Sequence, residues 1–242
     1  MYQFNMSLDA KWASWFSQIE KVLAIQLKAL SGVVASTTNG NRLEVSIACE
    51  NANKLEAKRI LKNTLTEMYL TICKFEYLDN ALNLPHLSDT SRILLLHTLV
   101  AFDKEAEQEI VEKALVIKDY LALDGFFNFK LGELKDRWDD IAQLASSNAR
   151  FLHVEETLNE LLKFLMSAIT PKIQKLCISV LADHFNVKGK YKNSNFEFRI
   201  PSAEQLMIYL INVAPIELTL EGDFSDEALY NRIISIFDGK SG

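Results

Sequence analysis

The chain has 242 residues, of which 49% are hydrophobic and 24% are charged, and its formal net charge is −6. This apolar content is enough to offset the chain entropy lost on folding, which excludes a collagen-like, low-complexity or disordered chain. The acidic excess excludes a surface that attracts nucleic acid as a whole, so only a local basic patch could bind a polyanion. The length allows one large domain or two small lobes.

The cysteines and the apolar stretches bear on the compartment of the protein. The chain has three cysteines at long spacings and no CxxC motif, which indicates neither a disulfide framework nor a thiolate zinc site. Its N-terminus lacks the basic start and apolar run of a signal peptide. The longest apolar stretch, residues 93–102, is too short to span a bilayer. We therefore expect a soluble, reduced, cytoplasmic chain without membrane insertion.

Residues 1–80 predict a βαββα part. Apolar and polar residues alternate at the N-terminus as in a strand, and apolar residues then recur at helical spacing from Trp12 to Leu30. The glycine of Asn39-Gly40-Asn41 tolerates a positive φ, which is typical of a tight hairpin turn. The predicted elements are a strand at 1–6, a helix that begins at Ser7 or Asp9 and ends at Gly32, strands at 33–37 and 43–49, and a helix at 55–75.

Residues 81–170 show helical periodicity only, so the middle of the chain is predicted to be helical. The acidic residues at 105–112 are typical of a solvated helix face, although an interface with a basic partner stays open. The predicted elements are a helix capped by Ser88 or Asp89, an acidic helix at 105–121, a helix with a near-heptad apolar repeat at 127–145, and a helix through 158–165 that ends before Pro171.

Residues 171–242 return to mixed structure and predict a ββαβα part. Ser202-x-x-Gln205 after Pro201 is a capping box, which starts a helix. The predicted elements are strands at 173–181 and 196–200, a helix at 202–213, a strand at 216–220, and a helix that begins at 225–227 and ends at Gly239. The fold class is therefore α+β, a helical middle flanked by two mixed parts, and the parts 1–80, 81–170 and 171–242 are separate domains or one compact unit.

No arrangement of residues predicts catalysis, a cofactor or a metal ion. The GxGxxG, Walker-type, HExxH and GxSxG motifs are missing from the sequence. His153 with Glu155 and Glu156 could meet a metal, but such neighbours point in different directions from a helix. His97 lies among leucines and is expected to be a hydrogen-bonded residue near the core. The sequence therefore predicts no catalytic, cofactor-binding or metal-binding residue, although distant residues can still assemble an enzyme site in three dimensions.

One late segment combines bases with aromatic residues, as listed here: Lys188, Lys190, Lys192 and Arg199, with Phe185, Tyr191 and Phe196 beside them. Bases and aromatic rings on one ribbon can hold phosphates and stack on nucleotides. The other interpretation is a hairpin near a sheet edge, whose lysines prevent pairing with another sheet. In an acidic protein we favour the edge hairpin and keep weak nucleic-acid binding through 188–199 as an alternative.

Three stretches together resemble a known family. LDGFFNFKLGEL at 123–134 has an acidic residue and a glycine, then aromatics, then Phe-Lys-Leu at the start of a long helix. MIYLINVAPIEL at 207–218 reads as a helix that ends in Ala-Pro before a strand, and IISIFDG at 233–239 closes the pattern. In order and spacing these stretches resemble the YtxC-like family of sporulation proteins from endospore-forming bacteria. Lys130 stands where arginine is more frequent in that family.

The resemblance implies a role in sporulation but supplies no functional residues, because the family has no established biochemical activity. Within the first motif, Phe126, Phe129 and Lys130 are the candidate interaction residues, although aromatics that open such a helix usually fill a core. We expect a non-enzymatic binding or scaffolding protein whose partner is a protein and whose oligomeric state stays open. The alternatives are an enzyme whose site forms only in three dimensions and the weak nucleic-acid binder.

Overall fold

The computed structural model describes residues 1–152, 154–181, 184–192, 194–222, 224 and 226–237. The fold is α+β, as predicted. The elements up to residue 114 are β1 (Tyr2–Asp9), a 3₁₀ turn (Ala10–Trp12), α1 (Ala13–Lys28), β2 (Val33–Asn39), β3 (Arg42–Cys49), a 3₁₀ turn (Asn51–Asn53), α2 (Lys54–Met68), a π-helical turn (Tyr69–Cys73), α3 (Lys74–Ala81), α4 (Asp89–Ala101) and α5 (Lys104–Ala114). They are followed by β4 (Tyr120–Ala122), α6 (Leu123–Lys130), α7 (Gly132–Ser147), α8 (Ala149–Leu152), α9 (Glu155–Ser167), β5 (Lys175–Leu181), β6 (His184–Tyr191), β7 (Ser194–Ile200), α10 (Ala203–Val213), β8 (Glu217–Glu221) and α11 (Glu227–Phe237).

The chain divides into two compact units, and each contains a four-stranded sheet. Unit 1 consists of Met1–Tyr77 and Glu105–Asp140, and unit 2 consists of Leu78–Lys104 and Ile141–Gly242. This division differs from the three consecutive parts that the sequence predicts. The reason is that one stretch of the helical middle packs with the N-terminal part, whereas the rest of it packs with the C-terminal part.

The sheet of unit 1 has the strand order β2-β3-β1-β4, in which β4 is parallel to β1 and the other neighbours are antiparallel. Alternate residues of the two central strands form its buried apolar face: Tyr2, Phe4, Met6 and Leu8 on β1, and Leu43, Val45, Ile47 and Cys49 on β3. Lys54 of α2 lies 4.9 Å from the centroid of the Tyr2 ring, and Ser36 of β2 donates a hydrogen bond to Glu20 of α1. Both helices therefore lie on this apolar face.

The prediction of an entirely helical middle is wrong at one short strand, β4. Asn5 and Ser7 of β1 pair with Tyr120 and Ala122 of β4, more than a hundred residues away along the chain. Three residues are too few for an alternating pattern to be recognised. This segment is a strand because it pairs with β1, which is distant in the chain. The hydrophobic periodicity of the segment itself does not indicate such a partner.

The sheet of unit 2 has the strand order β7-β6-β5-β8, in which β8 is parallel to β5 and the other neighbours are antiparallel. The C-terminal part therefore runs βββαβα, and the predicted ββαβα order is wrong because β6 is an additional strand. Of its residues only Val187 is fully buried, so the segment lacks the apolar alternation of a recognisable strand. Pairing with β5 and β7 along its whole length makes β6 a central strand.

Two predicted helix starts are confirmed by capping hydrogen bonds. The hydroxyl of Ser88 accepts from the backbone N–H of Ser91 at 3.2 Å, and that of Ser202 accepts from Gln205 at 3.3 Å. The predicted end of the last helix at Gly239 lies outside the described residues. None of the described helices combines the length with the apolar character that a membrane crossing requires.

Candidate functional site

Three bases of the predicted nucleic-acid segment, Lys188, Lys190 and Arg199, lie on the face of the unit 2 sheet opposite to that of Phe196. Lys188 pairs with Glu197, whereas Gly189 pairs with Phe196. Cross-strand partners share a face and successive residues alternate between faces, so Phe196 lies opposite the face of Lys188 and Arg199. Single strands are bound where stacking rings and phosphate-binding bases face the same side. This alternation counts against nucleotide stacking on residues 188–199.

Acidic residues share the face on which the bases lie. Lys188 Nζ is 3.4 Å from Glu197 Oε1, and the pKa of the Glu197 carboxyl is lowered by a hydrogen bond from Asn186 and then by Lys188. Lys190 is exposed, and Lys192 lies in the following turn with its ammonium 5.4 Å from the Tyr191 ring centroid. The surface therefore carries both signs of charge rather than one positive field.

The three candidate interaction residues of the 123–134 motif are separated by the structure. Phe126 is 7% exposed, and its ring centroid lies 5.3 Å from that of Tyr69 in the core of unit 1. Phe129 is 84% exposed, and Lys130 is exposed beside it. Phe126 thus has little surface to offer a partner, whereas Phe129 and Lys130 are accessible.

The acidic residue of the same motif anchors the hairpin of unit 1. Both terminal nitrogens of Arg42 donate to the Asp124 carboxylate, at 2.7 and 3.0 Å, and one of them also donates to Ser7 Oγ at 2.6 Å. Burial alone would raise the pKa of the Asp124 carboxyl, but Arg42 and backbone N–H groups lower it. Because Arg42 is the first residue of β3, this ion pair ties α6 to the start of that strand.

A buried ion pair lies in the core of unit 1, and sequence reasoning missed it. Lys74 is 0% exposed and its ammonium lies 2.8 Å from the carboxylate of Glu107, which is 1% exposed. Trp138 Nε1 donates to the same carboxylate at 2.9 Å. Glu107 belongs to the acidic helix that the sequence assigns to a solvated face. That assignment fits the exposed Glu105 and Glu109 but is wrong for Glu107.

The π-helical turn explains why Lys74 is buried. A regular helical period places Ile72 and Phe75 on the apolar stripe that runs from Leu55 through Leu61 and Leu65. The turn inserts extra residues into the helix and rotates the following stripe. Cys73 and Lys74 are therefore the fully buried positions, whereas Ile72 and Phe75 are only partly buried. Burial raises the pKa of the Cys73 thiol to about 12, so this cysteine is a packed apolar group.

The remaining titratable candidates form no recognisable reaction centre in the described ranges. His97 is half-buried, and burial lowers its pKa although Glu204 opposes this. A groove in unit 2 is lined by Glu155 and Glu204 together with Arg232, which lies 3.2 Å from Glu155. His153 lies outside the described residues. Among the residues that are described, no group of three His, Cys, Asp or Glu side chains could hold a metal ion.

One of the two edges of the unit 1 sheet is formed by the backbone of β2. Asn39 and Arg42 are direct partners across a two-residue turn, whose first residue is a glycine with a φ of +61°. The pair that closes such a turn is hydrogen-bonded, and hydrogen-bonded pairs alternate along an antiparallel ladder. Val34, Ser36 and Thr38 therefore direct their N–H and C=O groups outward. Within the described part of the chain, these groups have no hydrogen-bond partner.

The amino acids of β2 leave this edge unprotected. Its sequence, VVASTTN, has no charge and no proline, and six of its seven residues are exposed. Proteins usually protect edge strands with charges, prolines or a very short length. The other described edges have such protection: β7 carries Glu197 and Arg199, β8 carries Glu217 and Glu221, and β4 has three residues. The edge suited to receive a further strand is therefore β2.

No family model, no curated protein and no solved structure matches the chain. These comparisons neither support nor contradict the YtxC-like resemblance, which stays a prediction. A functional proposal therefore depends on the geometry of the described residues, and above all on the edge of β2.

Proposed function

We propose that this chain is a non-enzymatic protein-binding protein that takes up an extended segment of a partner as an additional strand along β2. The observation that carries the proposal is the row of outward N–H and C=O groups on Val34, Ser36 and Thr38, in a strand without charge or proline. In strand addition, main-chain hydrogen bonds supply affinity, and side chains of alternate residues supply specificity.

The strength of such a contact follows from the number of outward groups. An antiparallel strand centred on Ser36 forms two hydrogen bonds with each of three residues, about six in all. Each contributes about 0.5–1.5 kcal/mol net. Ordering a flexible segment costs about 0.5–1.5 kcal/mol for each immobilised side chain, which offsets part of this gain. We therefore propose a reversible contact rather than a permanent assembly.

The proposal places this binding role in endospore formation and in the cytoplasm. The resemblance of residues 123–134 to the YtxC-like family supports the first point. The same motif contributes to the β2 edge, because Asp124 binds Arg42 and Arg42 closes the hairpin turn with Asn39. The motif thus stabilises the hairpin to which β2 belongs.

The test uses three baits in lysates of sporulating cells of the source organism: the wild-type chain, Thr38→Pro and Asn195→Pro. Proline at Thr38 removes an outward N–H and leaves the β2–β3 ladder intact, because the lost donor has no partner in that ladder. Asn195→Pro makes the same change at the outward edge of β7. We expect a stoichiometric protein that binds the wild type and Asn195→Pro and is lost with Thr38→Pro. Equal recovery on all three baits would refute strand addition at β2.

The sporulation part has a separate test. A deletion strain is expected to give a reduced spore yield that the wild-type gene restores and the Thr38→Pro gene does not. A normal yield in the deletion strain would contradict the sporulation role while leaving the binding role in place.

A further inference from the structure

A carboxylate lies beside the middle of the open edge of β2. Ser36 Oγ donates to Glu20 Oε1 at 2.8 Å, which holds this side chain of α1 next to the strand. The other oxygen, Oε2, has no hydrogen-bond partner among the residues that the structure describes. A negative charge with one available oxygen therefore stands next to the path of an added strand.

The register of an added strand decides which of its residues meets this charge. An antiparallel strand places one residue directly opposite Ser36, and the two side chains point to the same face with Cβ atoms about 4.5–5.5 Å apart. That face is the one on which Glu20 lies. Lysine or arginine has the length to reach the carboxylate from there, whereas an acidic residue would meet a like charge.

The surrounding charges favour a foreign strand over a second copy of this chain. Glu44, the cross-strand neighbour of Thr37, is exposed on the opposite face of the sheet. Two copies of β2 that pair antiparallel about Ser36 would bring two Glu20 side chains close together, which is repulsive. The net charge of −6 on each copy adds to the repulsion. A partner strand that carries a basic residue avoids this repulsion.

We propose that the partner strand carries a lysine or arginine opposite Ser36 and that this base forms an ion pair with Glu20. This inference rests on the proposed function, since it names the partner of the same edge. Glu20 selects the segment by charge, and the outward backbone groups of β2 bind it whatever its other side chains are.

The test uses peptides with the sequence of β2, VVASTTN, with acetylated and amidated ends. Antiparallel pairing about the peptide centre places its central residue opposite Ser36, and three versions carry serine, lysine or glutamate there. Each peptide is titrated into the full ¹⁵N-labelled chain while the amide signals of Val34, Ser36 and Thr38 are followed. We expect the lysine version to bind about three-fold more tightly than the serine version, and the glutamate version about three-fold more weakly, at low salt.

Two variants separate the inference from the proposed function. In Glu20→Gln the three peptides should bind within about two-fold of one another, whereas Glu44→Gln, the same change on the other face, should keep their order. Equal affinities on the wild type, or an unchanged order in Glu20→Gln, would overturn the inference and leave strand addition standing. If no peptide shifts these amide signals, strand addition itself is wrong. If sedimentation shows a dimer of the wild-type chain and a monomer of Thr38→Pro, the strand that pairs with β2 comes from a second copy of this chain, which would overturn the inference of a basic partner strand.

Discussion

The two sheets have the same arrangement of strand directions, but their outer hairpins leave different edges open. In both sheets an antiparallel hairpin with a short turn lies beside a central strand, which has a parallel strand on its other side. In unit 2 the outward backbone groups of β7 belong to Asn195, Glu197 and Arg199. In unit 1 those of β2 belong to Val34, Ser36 and Thr38. The same backbone architecture therefore gives one edge with charged side chains and one edge without any. Under the strand-addition proposal, this difference in side-chain charge is what separates the two edges.

The two units also differ in how their interiors are packed. Unit 1 buries the Lys74–Glu107 ion pair next to Trp138, which donates a hydrogen bond to Glu107 and packs against Phe127. In unit 2, the ring of Phe196 on the edge strand β7 lies over Gly189 on the neighbouring central strand β6. Each arrangement can be tested by a single substitution, at Glu107 in unit 1 and at Gly189 in unit 2.

The largest effect is expected from Glu107→Leu in unit 1. The variant leaves the Lys74 ammonium buried without its carboxylate and removes the acceptor of Trp138, which should destabilise unit 1 by about 3–5 kcal/mol. The measurement is urea unfolding followed by tryptophan fluorescence, which reports this unit because Trp12, Trp15 and Trp138 all belong to it.

Two further variants control the Glu107 prediction. The exposed Glu105→Leu on the same helix should change stability by less than about 0.5 kcal/mol. The double variant Lys74→Met, Glu107→Leu should recover most of the loss, because an apolar pair of similar volume can replace a buried ion pair. A Glu107→Leu variant as stable as the wild type would show that the pair contributes nothing to unit 1.

The second effect is expected from Gly189→Ala in unit 2. A Cβ at this position would lie 2.4 Å from Phe196 Cζ and 3.0 Å from Leu176 Cδ1, so the ring must move. We expect a loss of about 1–3 kcal/mol, measured by hydrogen exchange of the β6 amides. Gly132→Ala is the matched control, because a Cβ there meets no atom within 4 Å. An unchanged exchange rate in Gly189→Ala would mean that the ring does not require the glycine.

A smaller, pH-dependent effect is expected from Asp124→Asn. Its side chain and that of Arg42 are 19% and 34% exposed, so we expect a loss of about 1–2 kcal/mol at neutral pH. Since the folded-state pKa of Asp124 lies below its ordinary value of 3.8, the contribution is present above that pH and is lost as the pH falls through the folded-state pKa. Wild type and variant should therefore converge in acid.

The control for Asp124→Asn is Glu56→Gln, which removes an exposed ion pair with Arg59. Surface pairs of this kind contribute little, so its unfolding midpoint should not move. A constant difference between Asp124→Asn and the wild type from pH 7 to pH 2 would contradict the assigned role of the ion pair.

The smallest effect tests the two edges directly. Replacing Glu197 and Arg199 of β7 by threonine should make that edge resemble β2 and give it a weak, few-fold gain in binding of the neutral VVASTTN peptide. Amide shifts at Asn195 and residues 197 and 199 would report the gain. If the neutralised β7 binds no better than the original, charge is not what distinguishes the two edges.

The sequence predicts those features that depend on neighbouring residues. The hairpin turn at Gly40 and the caps at Ser88 and Ser202 each depend on a few residue types at one position, and all three are confirmed. By contrast, β4 and β6 are strands because distant strands pair with them. The hydrophobic periodicity of these short segments does not indicate that pairing.

The candidate site was only partly predictable for the same reason. The opposite faces of Lys188 and Phe196 follow from strand alternation together with the register between β6 and β7, and the sequence alone does not give that register. The buried position of Lys74 depends on a π-helical turn that has no sequence signature. The importance of β2 comes from its place at the edge of the sheet, which follows only from the strand order.

The most direct test of the account is residue-resolved hydrogen exchange of the full chain, alone and with saturating lysine-centred VVASTTN peptide. We predict that the amides of Val34, Ser36 and Thr38 exchange rapidly in the chain alone and slowly in the complex, whereas Ala35 and Thr37 are already slow and change little. Slowing that does not alternate along β2, or that occurs at β7 instead, would contradict strand addition at this edge.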